Sequence, residues 1–315
     1  MKFFLYLCCV LGARRSFRPT GRKRRCGKQM KSYVANISGR AVLWEGAQVM
    51  GIINVTPDSF AVSCRHITEA EVLSAVSLAL QGGASILDIG AVSTRPGSAA
   101  VPEEEEWRRL RIGLEAIRRM GTTVPVSVDT YRASIAERAI GEYGVAMVND
   151  VSGLQDGRMA EVVSRASVPY VLTHMRGTPA TMQSQTAYDE DVMSALLGWF
   201  AERIDRLRQA GVTDIIVDPG LGFAKTTEQN WEILRRLREL EVLGLPILVG
   251  LSRKSMVYKT LGCTPQEALN GTTAAHMAAL AGGASLLRVH DVREATEAVR
   301  IYEAYNKRIT PQVTY

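Results

Sequence analysis

The sequence predicts an α/β fold, a single (β/α)8 or TIM barrel with its active site at the C-terminal face of the strands. Three observations predict it. Short apolar runs alternate eight times with segments of helical period. Eight such units in about 265 residues, with no linker and no shift of composition, match the size and rhythm of a closed barrel. The first strand runs into NVTPDSF, whereas a doubly wound open sheet more often carries a Gly-rich turn there.

The strands read, in order, 49–55 (VMGIINV), 86–90 (ILDIG), 124–129 (VPVSVD), 146–150 (AMVND) and 168–175 (VPYVLTHM). They continue as 214–218 (DIIVD), 246–252 (PILVGLS) and 285–290 (SLLRVH). Thr68, with Glu71 three residues on, signals a capped helix, and Val72, Ala75, Val76, Ala79 and Leu80 form its apolar stripe before Gly82-Gly83. Thr264-Pro265-Gln266-Glu267 signals another start, with proline at the first helical position. The remaining helices are expected near 103–120, 131–143, 157–166, 189–210, 227–240 and 293–306.

The chain has 315 residues and a formal charge of +6. Residues 1–29 hold nine Lys and Arg and no acid, so subtracting nine leaves −3 for residues 30–315. The expected organisation is therefore a basic N-terminal extension over 1–29 and a catalytic barrel over 30–315. No basic face interleaved with aromatics appears in the body, which argues against nucleic acid as a partner. Cys8, Cys9 and Cys26 lie in the extension and only Cys64 and Cys263 follow it, with no disulfide framework and no zinc spacing. That usage fits a reducing compartment, the cytoplasm. Residues 3–11 are apolar behind one lysine, too short a run to span a membrane, and a dense basic block follows at once, unlike the region after an export signal. Met30 is expected to be the working start.

Asp218 follows the β-branched run Ile215-Ile216-Val217 and is followed by Pro219-Gly220, so it sits at a strand tip where parallel α/β proteins place ligands. Gly220 and Gly222 let backbone approach a flat ligand, and Phe223 offers a ring to stack on it. GLGFAKT is not a P-loop, because Ala224 and Pro219 stand where the two glycines are needed. Polar residues end every strand: Asn54, Asp88, Asp129, Asn149, His174, Asp218, the run Ser252-Arg253-Lys254-Ser255, and Arg288 with His290. In a barrel all eight ends share one face. Asn54, Arg288 and His290, with Thr94 and Arg95, suit an anion such as a pyrophosphate. Asp129, Asn149 and Asp218 suit a planar heterocycle edge rich in N–H donors, and Lys254 sits between the two groups. His174 is expected to line the pocket. A magnesium ion held mainly by substrate phosphates, with Asn54 as one protein ligand, is the expected cofactor.

MGIINVTPDSF (50–60), DIGAVSTRPG (88–97), SVDTYRA (127–133), VNDVSG (148–153) and HMRGTPATM (174–182) resemble the dihydropteroate synthase family. So do DPGLGFAKT (218–226), LVGLSRKS (248–255), NGTTAAH (270–276) and RVHDV (288–292). The match runs in order over roughly residues 48–305. It implies a usually dimeric barrel, a target of sulfonamides, that condenses 6-hydroxymethyl-7,8-dihydropterin pyrophosphate with 4-aminobenzoate. It further implies that Asp129, Asn149, Asp218 and Lys254 bind the pterin, with Met175 against the ring. Asn54, Arg288 and His290 match the pyrophosphate and magnesium site, and Asp88 an acid beside it. Thr94, Arg95, Pro96, Gly222, Phe223 and Ser255 match the aminobenzoate side. The implied mechanism is loss of pyrophosphate to give a resonance-stabilised pterin methyl cation, which the arylamine attacks.

Two segments depart from the family pattern. Ser-Asp-Gly-Gly commonly follows NVTPDSF, and here those positions read Ala61-Val62-Ser63-Cys64, without the acid and with a thiol near the pocket. The usual Gly-Glu before STRPG is Ala91-Val92. A non-catalytic pterin-binding relative would tolerate losing that acid. A pterin-dependent methyltransferase shares the barrel but has no use for STRPG, SRKS or the Arg288/His290 pair.

Overall fold

The protein is described by a computed structural model over residues 32–56, 68–93, 101–178 and 180–306. Eight parallel strands form one sheet: β3 (Gln48–Asn54), β4 (Ile86–Gly90), β5 (Val126–Asp129), β6 (Met147–Asp150), β7 (Tyr170–Thr173), β8 (Ile215–Asp218), β9 (Leu248–Val249) and β10 (Leu286–Val289). Their order is 8-7-6-5-4-3-10-9, and a parallel bridge from Val217 to Ile247, just ahead of β9, joins the two ends. The ring is therefore a (β/α)8 barrel, as the alternation predicts. No helix among the described residues is long and apolar enough to cross a membrane.

The helices are α1 (Glu69–Gly82), α2 (Glu103–Met120), α3 (Ala133–Tyr143), α4 (Met159–Ala166), α5 (Val192–Gln209), α6 (Thr227–Arg235), α7 (Ser255–Leu261), α8 (Leu269–Ala281) and α9 (Val292–Asn306). Thr68 caps α1 in the expected reciprocal box with Glu71, and Thr226 caps α6 in the same way with Gln229. The stripe Val72, Val76 and Ala79 is buried against outward-facing strand residues such as Val49, Ile53, Leu87 and Ile89.

Besides the short α7, which the sequence did not announce, three features differ from the expectation. Thr264 and Glu267 do bond as a cap, but they close a single turn, and α8 begins at Leu269. Residues 227–240 do not form one helix: α6 ends at Arg235 and a 3-10 segment, Leu237–Leu243, follows. The third is a hairpin, β1 (Tyr33–Ile37) with β2 (Arg40–Trp44). Its Ala35, Ile37 and Trp44 pack with Met50, Ile86, Met147, Val171, Ile216, Leu248 and Leu286, which come from the N-terminal ends of the strands. Asn36 fastens it by donating from its backbone to Asp214 Oδ1 at 3.1 Å and from its side chain to Ser167 O at 3.0 Å. The bottom of the barrel is thus apolar and plugged, which leaves the opposite end for chemistry.

Candidate active site

Alternation along each strand sends every second residue inward. The inner positions change from apolar at the N-terminal end to polar at the C-terminal end: Ile86 to Asp88, Met147 to Asn149, Val171 to Thr173 and Ile216 to Asp218. Asp88, Asn149, Ser127 and Thr173 are at most 1% exposed, and among the described residues Asp88 Oδ1, Asn149 Oδ1, Ser127 Oγ and Thr173 Oγ1 have no hydrogen-bond partner. Four orphaned polar atoms on four consecutive strands are costly unless a ligand meets them. Ser127 and Thr173 escaped the sequence reading. Both could have been found by period-2 counting, since Ser127 lies one pleat below Asp129 and Thr173 is the inner residue closing β7.

Arg288 on β10 lies in register with Met50 of β3, and its long side chain reaches past β3 to the next two strands. Nε donates to Asp88 Oδ2 at 2.6 Å and Nη2 to Asp129 Oδ2 at 2.5 Å. Asn149 Nδ2 donates to the same Asp88 oxygen at 2.9 Å. The expected separation of an anion group from a heterocycle group therefore fails at Arg288, which joins them. The cause is charge balance: two buried carboxylates need a cation, and only a side chain of this length spans two strands to reach both. Burial alone would lower the Arg288 guanidinium, but Asp88 and Asp129 outweigh it and hold it above its ordinary range. Burial pushes Asp129 up to about 7 against the pull of Arg288, with Asp88 adding to the rise.

The loop after β5 is anchored from outside the pocket. Thr130 Oγ1 donates to the buried Glu106 carboxylate of α2 at 2.6 Å, Arg132 pairs with the same group, and Arg132 Nη2 reaches Val101 O at 2.6 Å. Burial raises Glu106, and Thr130 and Arg132 offset part of that rise.

Asp218 accepts from Gly220 N–H at 2.7 Å, and its burial raises its carboxyl while Lys254 opposes the rise. Lys254 Nζ donates to Leu221 O at 2.5 Å and lies 4.5 Å from the centre of the Phe223 ring. Burial lowers it to about 8, with Asp218 opposing. Gly222, with φ +88°, presents its bare face to Lys254: a Cβ there would stand 3.3 Å from Lys254 Cδ. Ser255 opens α7 directly after Lys254. Arg253 turns the other way and forms a two-pronged pair with Asp291 at 2.8 and 2.6 Å, which fixes SRKS against the end of β10. His290, exposed at the mouth, has its Nδ1 3.2 Å from Ser252 Oγ. Asn54 ends β3 beside Gly90.

One expectation at β7 is corrected. His174 does not line the pocket: the pleat turns it outward against α5, 4.8 Å from the Trp199 ring, and it is 1% exposed. Thr173 takes the inward place, and Met175 packs with Met182, Ala224 and Phe223. Thr94, Arg95, Pro96, the extension 1–29 and the departing segment 61–64 lie outside the described residues.

The arrangement offers buried acceptors to a flat, donor-rich ring and cations to an anion above it. Comparison with known proteins agrees with that chemistry. The model of a family described as pterin binding enzyme matches residues 50–290. Dihydropteroate synthase of Escherichia coli K12 is 40% identical over 258 residues, which cover 81% of this chain and 90% of that one. The structure of Xanthomonas albilineans dihydropteroate synthase with 4-aminobenzoic acid superposes with a TM-score of 0.81 at 37% identity, covering 89% of this chain and all of that one. That of Clostridium difficile dihydropteroate synthase in the presence of pteroic acid gives 0.78 at 38%, covering 84% and 98%. With motifs in order, a closed barrel and relatives matched over nearly their whole length, the chain belongs to the dihydropteroate synthase family.

Proposed function

We propose that the chain joins 6-hydroxymethyl-7,8-dihydropterin pyrophosphate to 4-aminobenzoate, giving 7,8-dihydropteroate and pyrophosphate. The observation that carries this is the set of unpaired buried acceptors, Asp88 Oδ1 and Asn149 Oδ1, flanked by Asp129 and Asp218 and overlooked by Lys254 and Arg288. A pterin edge presents the N–H donors those oxygens lack. Two of the five guanidinium donors of Arg288 serve Asp88 and Asp129, so it can anchor a diphosphate without leaving them. His290 at the mouth would share that load.

The C–O bond to the diphosphate breaks with its electron pair on the leaving oxygen, and the methylene cation is delocalised into the pterin ring. The amine lone pair then forms the C–N bond and the nitrogen gives up a proton. Gly222, Phe223 and Ser255 would hold the arylamine in line, so the work is positioning and electrostatic stabilisation. Among the described residues no three His, Cys, Asp or Glu side chains converge on a metal cage. A magnesium ion would take the Asn54 amide oxygen and otherwise diphosphate oxygens, which suits a hard cation that keeps few protein ligands. When bound, it would neutralise charge on the leaving group. The resemblance supports a homodimer, and the sparse cysteines of residues 30–315 support the cytoplasm.

Arg288→Ala tests the assignment. It is expected to cost about 2–4 kcal/mol of transition-state stabilisation, read as a fall in kcat/KM of about 30- to 1,000-fold. Unchanged turnover in a folded variant would contradict the role.

A further inference from the structure

Lys225 is a buried lysine outside the set of ligand-facing residues. It is 4% exposed, and Nζ lies 3.0 Å from Gly220 O, 2.9 Å from Phe223 O and 2.9 Å from His174 Nδ1. Burial lowers Lys225 to about 7, with Asp218 opposing; in its ammonium form the three protons meet three acceptors, with His174 neutral and its proton on Nε2. Burial, with Lys225 beside it, holds His174 well below its ordinary value, which agrees.

The loop that Lys225 gathers is unusual backbone. Gly220, Ala224 and Gly222 have φ of +64°, +49° and +88°, and at Gly220 a Cβ would stand 2.1 Å from His174 O. Such a path persists only where its surroundings fix it. Gly220 N–H is held by Asp218, Gly222 N–H by Asn230 Oδ1 at 2.7 Å, and Ala224 O by the Tyr188 hydroxyl at 3.1 Å. Those bonds hold the loop from its rim. Among the described residues, Lys225 alone bonds two of its carbonyls and the β7 end together.

We propose that Lys225 is a positioning residue for the arylamine. Its ammonium draws Gly220 O and Phe223 O inward, locks the ligand-facing side of residues 219–226 against β7, and so sets Gly222 and Phe223 where 4-aminobenzoate must stack. This rests on the function proposed above. The pterin acceptors Asp129 and Asn149 stand on β5 and β6, away from the loop, while Asp218 and Lys254 hydrogen-bond to it at Gly220 N–H and Leu221 O, neither of which Lys225 bonds.

The test is Lys225→Met in the full chain, with both Michaelis constants and hydrogen exchange measured. The KM for 4-aminobenzoate is expected to rise about tenfold or more, with the KM for the pterin pyrophosphate changed less than about threefold. Amides of residues 219–226 should exchange about tenfold faster or more, with β5 and β6 unaffected. A merely structural role would shift both constants alike. Should Lys225→Met not fold, His174→Leu removes one acceptor and is expected to raise the same constant severalfold. His174→Asn, with an amide oxygen in place of Nδ1, should restore it. Both constants unchanged, or shifted equally, in whichever of these variants fold overturns the proposal. If the wild type makes no dihydropteroate, the functional reading fails, and exchange over 219–226 then decides the inference: no acceleration overturns it.

Discussion

Asp129 shows how a single residue can report the ligand. Burial pushes its carboxyl up to about 7, so the free protein carries a proton there for much of the time below that pH. N–H donors from a bound ring favour the ionised form and lower its pKa. Binding below about pH 7 must therefore expel a proton from Asp129, while binding at pH 8.5 draws none from it. Calorimetry of 6-hydroxymethylpterin binding at pH 6 in two buffers of different ionisation enthalpy is expected to show release of a substantial fraction of a proton, lost in Asp129→Asn. Buffer-independent heats at pH 6 would show that the ring does not meet this carboxylate. Asp129 was legible because it follows an apolar run and precedes a helix. Its bond to Arg288 was not, because residues 159 apart in sequence meet only when the ring closes. Lys225 was hidden for another reason: it lies in a stretch that looks like a phosphate loop and is not one, and nothing in sequence says that its ammonium would turn back onto its own loop.

At the scale of elements, the strands and most helices were readable from periodicity, while the plug was not. Tyr33–Ile37 and Arg40–Trp44 alternate only partly in polarity, but the two-residue turn between them carries the signature of a tight hairpin. Ser38 and Gly39 both have positive φ, 51° and 77°, as such a turn demands. The short α7 was missed because Lys254 and Ser255 read first as ligand residues, and Gly262, with φ +65°, ends the helix within two turns. The hairpin carries stability rather than chemistry, and Trp44, 5% exposed, is its largest buried side chain. Trp44→Ala should lower the unfolding free energy by about 3–5 kcal/mol by leaving a cavity at the barrel floor, with kcat and both Michaelis constants within about twofold of wild type. Denaturant unfolding and steady-state kinetics on the same sample would check this, and a selective rise in either KM would place the hairpin in the site.

At the scale of the molecule, the barrel divides its interior into an apolar floor and a polar upper half. The floor packs against the hairpin and pays for an upper half in which four buried polar atoms have no partner among the described residues. A chain selected for stability alone would fill those positions with aliphatic residues, so their polarity points to a ligand. That division was legible in outline, since eight polar strand ends in a closed ring must converge. Which of them look inward was not, as His174 shows.

The most direct test mixes the purified full chain with 6-hydroxymethyl-7,8-dihydropterin pyrophosphate and magnesium and follows pyrophosphate release with and without 4-aminobenzoate. Release that depends on 4-aminobenzoate, matched one for one by dihydropteroate, is the predicted result, and it would show that turnover does not need an acid at Val62. Tight binding of the pterin with no product under any condition would contradict it and leave a pterin-binding protein without synthase activity.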